Sequence, residues 1–166
     1  MCGVKTNVVT AIEITDRYGA DSPQFKPLVN ATARNFVMNQ VSADKAYLSH
    51  ANLKTVVDNN AMPFYPTQLE QSHRKGSFYL WKQMFHVYSY NQDRFMECYH
   101  KRSNVESTFS MIKAKFGDRL RSKTKTAQIN EALCKVLAHN LCCVIQSIYE
   151  LGIEPSFWSE QNGLAH

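Results

Sequence analysis

Acidic residues are in short supply in this chain. Fourteen Asp and Glu stand against nineteen Lys and Arg, a net charge of +5. That deficit disfavours a cationic partner and favours an anionic one such as nucleic acid. Cysteines number five, an odd count, with no CxxC spacing. A disulfide framework and a thiolate zinc site are both disfavoured, and a reduced cytosolic compartment fits better. Cys134, Cys142 and Cys143 fall in an apolar helical pattern and are expected to fill core space. No histidines pair as HxH or HxxxH, which argues against a histidine metal site. No apolar run approaches the ~18 residues of a membrane span, so no membrane partner is expected. The opening MCGVKTNVVT has no apolar stretch of secretory type. Gly and Pro are few, six and five, so a low-complexity chain is excluded.

What is present is the material of an ordinary domain. Hydrophobic residues make up 44%, enough for a core. The first 15 residues are rich in β-branched types, and one or two strands are expected there. DRYGADS over 16–22 is turn chemistry. Ser22 and Pro23 start a helix carrying Phe25, Leu28 and Val29. A short strand is expected over 35–41, and Ser49 caps a helix burying Leu53, Val56 and Val57. AMPFY at 61–65 reads as a brief strand and 68–76 as a polar, basic loop. A long helical tract follows over 77–116, with Trp81, Phe85 and Tyr88 at core spacing. A basic connector over 118–126 leads to a last helix ending near Leu151. Alternating strands and helices followed by a helical half imply an α/β sheet.

One segment carries chemistry. At about 100° per residue, a single helix over 98–117 puts Tyr99, Arg102, Glu106 and Lys113 within an arc of about 60°. Val105, Phe109, Ile112 and Phe116 form the apolar stripe beside it. A carboxylate on that border can face a cleft from a rigid backbone. Arg102 can pair with Glu106 one turn away or with a phosphate, and Lys113 is a point charge for a phosphate. An amphipathic helix with ordinary i,i+4 ion pairs gives the same pattern.

Tyr99, Arg102, Glu106 and Lys113 stand as Y-x2-R-x3-E-x6-K, which resembles the signature of bacterial insertion-sequence DDE transposases. Ala43-Asp44-Lys45-Ala46-Tyr47 resembles the A-D-x-G-Y segment of the same family, with Ala46 in place of the commoner Gly. His139, Asn140 and Leu141 lie in a helix similar to the family's C-terminal one. The resemblance covers about residues 1–152 and leaves 153–166 as a tail. It implies a ribonuclease-H-like mixed sheet flanked by helices, with a helical C-terminal half. It also implies two Mg²⁺ ions, with Asp44 and Glu106 as two of three catalytic, metal-binding carboxylates. Mg²⁺ wants oxygen ligands, and two ions can stabilise the attacking and leaving oxygens of an in-line displacement. DNA is the implied partner, in a bacterial, nucleoid-associated setting, with homo-oligomers in the transposition complex.

The first Asp of such triads sits on a first strand, and this chain opens on what resembles the second. Upstream of Asp44 stand Glu13, Asp16 and Asp21, the last two in turn-like sequence. The expectation is a truncated copy. A DNA-binding remnant without catalysis is the alternative. Residues 99–125 hold eight Lys or Arg against Glu106 and Asp118. Tyr99, Arg102, Lys113, Lys115, Arg119, Arg121 and Lys123 are the expected DNA contacts, giving salt-dependent affinity.

Overall fold

The computed structural model describes residues 1–15, 19–66 and 79–152. The chain divides into two compact units, Met1–Arg119 and Leu120–His166. The expected turn residues Asp16 to Tyr18, the basic loop over 68–76 and the tail over 153–166 lie outside the described residues.

The first unit opens on a narrow backbone loop. Gly3 N donates to Val8 O at 2.9 Å and Thr10 N to Met1 O at 3.0 Å. Asn7 takes φ 57°, a left-handed conformation that Asn tolerates better than most residues. The strands expected here shrink to a single antiparallel bridge, Cys2 with Val9.

Pro23 sits in a 3-10 turn, Ser22–Gln24, that feeds helix α1, Phe25–Ala33. Phe25, Val29 and Thr32 are its buried face. The next strand, β1, starts later than its apolar residues suggested, at Gln40–Ser42. The chain turns over 34–36 and leaves Val37 95% exposed. Helix α2, His50–Asp58, is capped as expected, with Ser49 Oγ accepting from Asn52 N at 3.1 Å. It buries Leu53 and Val56 but leaves Val57 exposed. Asn60, also at φ 57°, turns the chain into β2, Met62–Phe64.

β1 and β2 pair in parallel, with Val41 opposite Pro63. This βαβ unit is the only sheet among the described residues. Asn39 O and Ala43 N bond to β2, so odd-numbered residues of β1 face it. Pro63 turns its missing donor to the outer edge, where a proline is tolerated.

The long helical tract is broken. Helix α3, Tyr79–Tyr90, ends at Asn91, whose φ is −148°. The Asn91 side chain accepts from Arg94 N at 3.0 Å and caps α4, Gln92–His100. A 3-10 turn, Lys101–Ser103, separates α4 from α5, Asn104–Phe116. Trp81 and Met84 of α3 and Phe95 and Cys98 of α4 join Phe64 and Tyr65 in one core. Phe95 stacks at 5.2 Å on Phe64 and at 5.3 Å edge-on against Tyr88. In α5 the buried residues are Thr108 and Ile112. Val105 and Phe109, expected inside, are exposed. The 3-10 turn advances the chain by about 120° per residue instead of 100°, so α5 enters with its face rotated.

The second unit is built on α6, Lys125–Leu151. Thr124 Oγ1 accepts from Ala127 N at its start, and Gly152 at φ 60° ends it. Val136 and His139 are buried, whereas Leu137, Leu141 and Ile145 are more than half exposed. Cys134 is exposed and Cys142 and Cys143 are half-buried, so the core role expected of them is not met. α6 is also the one stretch, among the described residues, with the length and mean hydropathy to cross a membrane. That corrects the expectation of no such run: interspersed Cys and Ala raise the mean without a solid block of Leu. Core helices of water-soluble proteins pass the same test.

Candidate active site

Asp44 stands two residues beyond the end of β1. Ala43 N donates to Phe64 O at 3.1 Å, so the ladder holds the backbone right up to Asp44. Asp44 is extended, at φ −71° and ψ 164°, and its carbonyl accepts from Tyr47 N in the following 3-10 turn. Its carboxylate caps nothing and is left for a partner. That partner is Arg102, in the 3-10 turn between α4 and α5. Ser42 Oγ donates to Cys98 O at 2.7 Å, which ties the end of β1 to the last turn of α4 and fixes the approach.

Arg102 Nη1 lies 2.8 Å from Asp44 Oδ1 and 3.8 Å from Glu106 Oε1. Both oxygens are within reach of one nitrogen, so the two carboxylates stand in one small site. Arg102 Cζ also lies 5.3 Å from the Tyr99 ring centroid, a cation–π contact that holds the guanidinium from behind. The side chains of Asp44 and Glu106 are 53% and 75% exposed. Pairs this wet contribute about 0–1 kcal/mol, so the cluster adds little to folding and is chiefly an arrangement of charge.

The expected single row of Tyr99, Arg102, Glu106 and Lys113 does not exist as one helix face. Tyr99 lies in α4, Arg102 in the 3-10 turn, and Glu106 and Lys113 in α5. The first three still assemble, because the tight turn brings Arg102 under Asp44. Lys113 and Lys115 are exposed near the C-terminus of α5, and Arg119 is exposed after it. Arg121 and Lys123 are exposed in the second unit.

The site opens on a cleft of about 270 Å³. Its walls are Met1, Cys2 and Val4 on one side and the run Gln40 to Asp44 on the other. Phe25, Leu28 and Val29 of α1 and Val105 of α5 supply its apolar surface, with Lys101 beside Arg102. Tyr47 also lines it. Burial, then Asp21 and then Asp44, push the Tyr47 phenol above its ordinary value, so it is a neutral hydrogen-bonding group there. Cys2 and Ser42 were not singled out by sequence reasoning, whereas Tyr47 lies within the Asp44 motif and Lys101 within the basic cluster over 99–125.

A family model described as the transposase DDE domain matches residues 1–141. The chain belongs to that family. No curated protein and no solved structure matches it. The match spans both carboxylates of this DDE domain, the cleft between β1 and the N-terminal loop, and the start of α6. Asp44 and Glu106 are hard oxygen donors of the kind a divalent ion takes. Yet no group of three His, Cys, Asp or Glu gathers among the described residues, and a guanidinium lies between these two. As arranged, the residues present do not fit a two-ion site.

Proposed function

We propose that this chain serves a DDE transposase of an insertion sequence and contributes Asp44 and Glu106 as two of its three catalytic carboxylates. The reaction is cleavage and joining of DNA strands, Mg²⁺-dependent in the complete enzyme, on a ribonuclease-H-like sheet that continues the βαβ unit. DNA is held by Tyr99, Arg102, Lys113, Lys115, Arg119, Arg121 and Lys123. The setting is the bacterial cytoplasm at the nucleoid, with a homo-oligomeric transposition complex. One observation carries this reading. Residues 62 positions apart, on a strand end and a helix, converge on one guanidinium nitrogen, and both lie inside the family match.

A second reading has an observation of its own. Two carboxylates that share the guanidinium of Arg102 suit a chain that binds DNA without cutting it. The deciding experiment compares this chain with one extended at its amino end by a strand bearing an Asp. Each receives Mg²⁺ and DNA with the element's ends. We expect cleavage from the extended chain only, abolished by Glu106→Gln or Asp44→Asn. Cleavage by the extended chain that survives both substitutions removes the site assignment. No cleavage by either chain favours the binding-only reading.

A further inference from the structure

We infer that Arg102 is a latch on the carboxylate pair, holding Asp44 and Glu106 closed to divalent ions until a DNA phosphate takes its guanidinium. The inference rests on the reading of these two carboxylates given above. It goes beyond that reading by making ion binding conditional on DNA.

The latch is one movable side chain between two fixed ones. Asp44 follows directly on Ala43, whose N–H donates to Phe64 O at 3.1 Å. Glu106 is set in the first turn of α5. Arg102 sits on the three-residue turn between α4 and α5, and only its side chain reaches across. Both of its contacts with the pair are made by Nη1, at 2.8 Å to Asp44 and 3.8 Å to Glu106. The first of these is a hydrogen-bond distance and the second is not. A guanidinium carries five N–H donors in a fork that suits two oxygens at once. Here a single nitrogen serves both carboxylates, and the fork is not used. Arg102 Nε is buried and meets no acceptor, an arrangement that costs free energy. The guanidinium is thus held chiefly by charge, with one of its donors unmet.

A phosphate supplies what the carboxylates do not. Its oxygens can accept from Nε and a terminal nitrogen together, the two-pronged contact in which arginine binds most firmly. The guanidinium also rests on the Tyr99 ring, with Cζ 5.3 Å from the centroid, and that support involves neither carboxylate. Rotation about side-chain bonds is enough to turn it toward a phosphate, a fast motion that leaves the backbone in place. Lys101, beside Arg102 in the cleft wall, adds positive charge for the same anion. Asp44 and Glu106 are then left without a counter-charge, the condition in which neighbouring carboxylates take a divalent ion. By linkage, the factor by which the phosphate strengthens ion binding is also the factor by which the ion strengthens DNA binding. Off DNA, the chain is kept from holding an ion at these carboxylates.

The test measures Mn²⁺ binding to the full chain by paramagnetic resonance of the free ion. It is run with and without a short duplex oligonucleotide, and uptake by the duplex alone is subtracted. We expect the duplex to raise the Mn²⁺ affinity of the unaltered chain about tenfold, within the usual range of coupling between sites. Arg102→Ala should bind Mn²⁺ at least severalfold more tightly without duplex, and duplex should then add less than about twofold. Arg102→Lys keeps the charge but lacks the fork, so it should bind Mn²⁺ weakly with or without duplex. With no ion present, duplex should slow the exchange of the Arg102 Nε–H, followed by nitrogen magnetic resonance, because that donor gains an acceptor. Equal coupling in the unaltered chain and in Arg102→Ala overturns the inference, since the phosphate then acts on the ion directly. Absence of coupling in the unaltered chain overturns it too. Adding Asp44→Asn and Glu106→Gln to Arg102→Ala separates the latch from the reading beneath it. Mn²⁺ affinity unchanged by those two substitutions removes the carboxylate assignment and the latch together. Affinity lost through them, with coupling that Arg102→Ala leaves intact, removes the latch alone.

Discussion

At the scale of single residues, the arrangement around Arg102 is the most telling. It is a resident cation between two carboxylates, and it sits where any other cation would have to enter. Arg102→Ala should raise the affinity of the chain for Mn²⁺ at least severalfold, measured by calorimetry, because two neighbouring carboxylates then lack a counter-charge. Arg102→Lys should keep most of the suppression. Stability should change by no more than about 1 kcal/mol, as expected of an exposed pair. Unaltered Mn²⁺ binding in Arg102→Ala would show that the two carboxylates do not act on one ion. Asp44 and Glu106 were legible in the sequence because motif spacing survives without coordinates. Cys2 and Ser42 were not, since a cleft wall assembled from a loop, a strand and two helices leaves no periodic trace.

Among the elements, the helices show where local sequence misled. A tract over 77–116 reads as continuous because its apolar spacing never lapses. The break depends on Asn91, whose side chain trades a place in the helix for a cap on the next one. The second break, at Lys101–Ser103, has no Gly or Pro to announce it. The cap at Ser49 was the opposite case, strong local chemistry with a structural counterpart. α6 has a further anchor. The Glu131 carboxylate accepts from the amides of Arg121 and Ser122 at 2.9–3.0 Å. Those bonds, first to Ser122 and then to Arg121, hold its carboxyl down to about 2. A carboxyl depressed in the folded state stabilises it above the unfolded value, and that contribution is lost as pH falls through the folded value. The Arg121 and Ser122 amides should therefore stay protected at neutral pH and lose protection between about pH 4.5 and 2. In Glu131→Gln the loss over that window should vanish. Amide exchange across a pH series would show it, and an identical profile in the variant would refute the anchor.

For the molecule as a whole, the α/β beginning and helical second half were readable from sequence. The sheet's small extent was not, because β-branched residues near the start promise strands that a turn at 4–6 cuts short. Sheet pairing is decided by distant partners, and a sequence window holds only one of them. The charge pattern leads to a measurement. Replacing Arg119, Arg121 and Lys123 together by Ala should weaken DNA binding and flatten its salt slope by about three units or slightly less. An unchanged slope would mean that these side chains face only water. The same three residues sit, exposed, in the stretch 117–124, which has neither helix nor strand and joins the two compact units. That placement makes the molecule a substrate. Trypsin cuts after Arg and Lys where the backbone can be drawn out, so its first nicks should fall here, at Arg119 ahead of the Glu131-anchored Arg121. The fragments would then correspond to Met1–Arg119 and Leu120–His166. If the connector grips phosphates, bound duplex will shield it, and the lifetime of the uncut chain under trypsin becomes a direct gauge of where DNA lies.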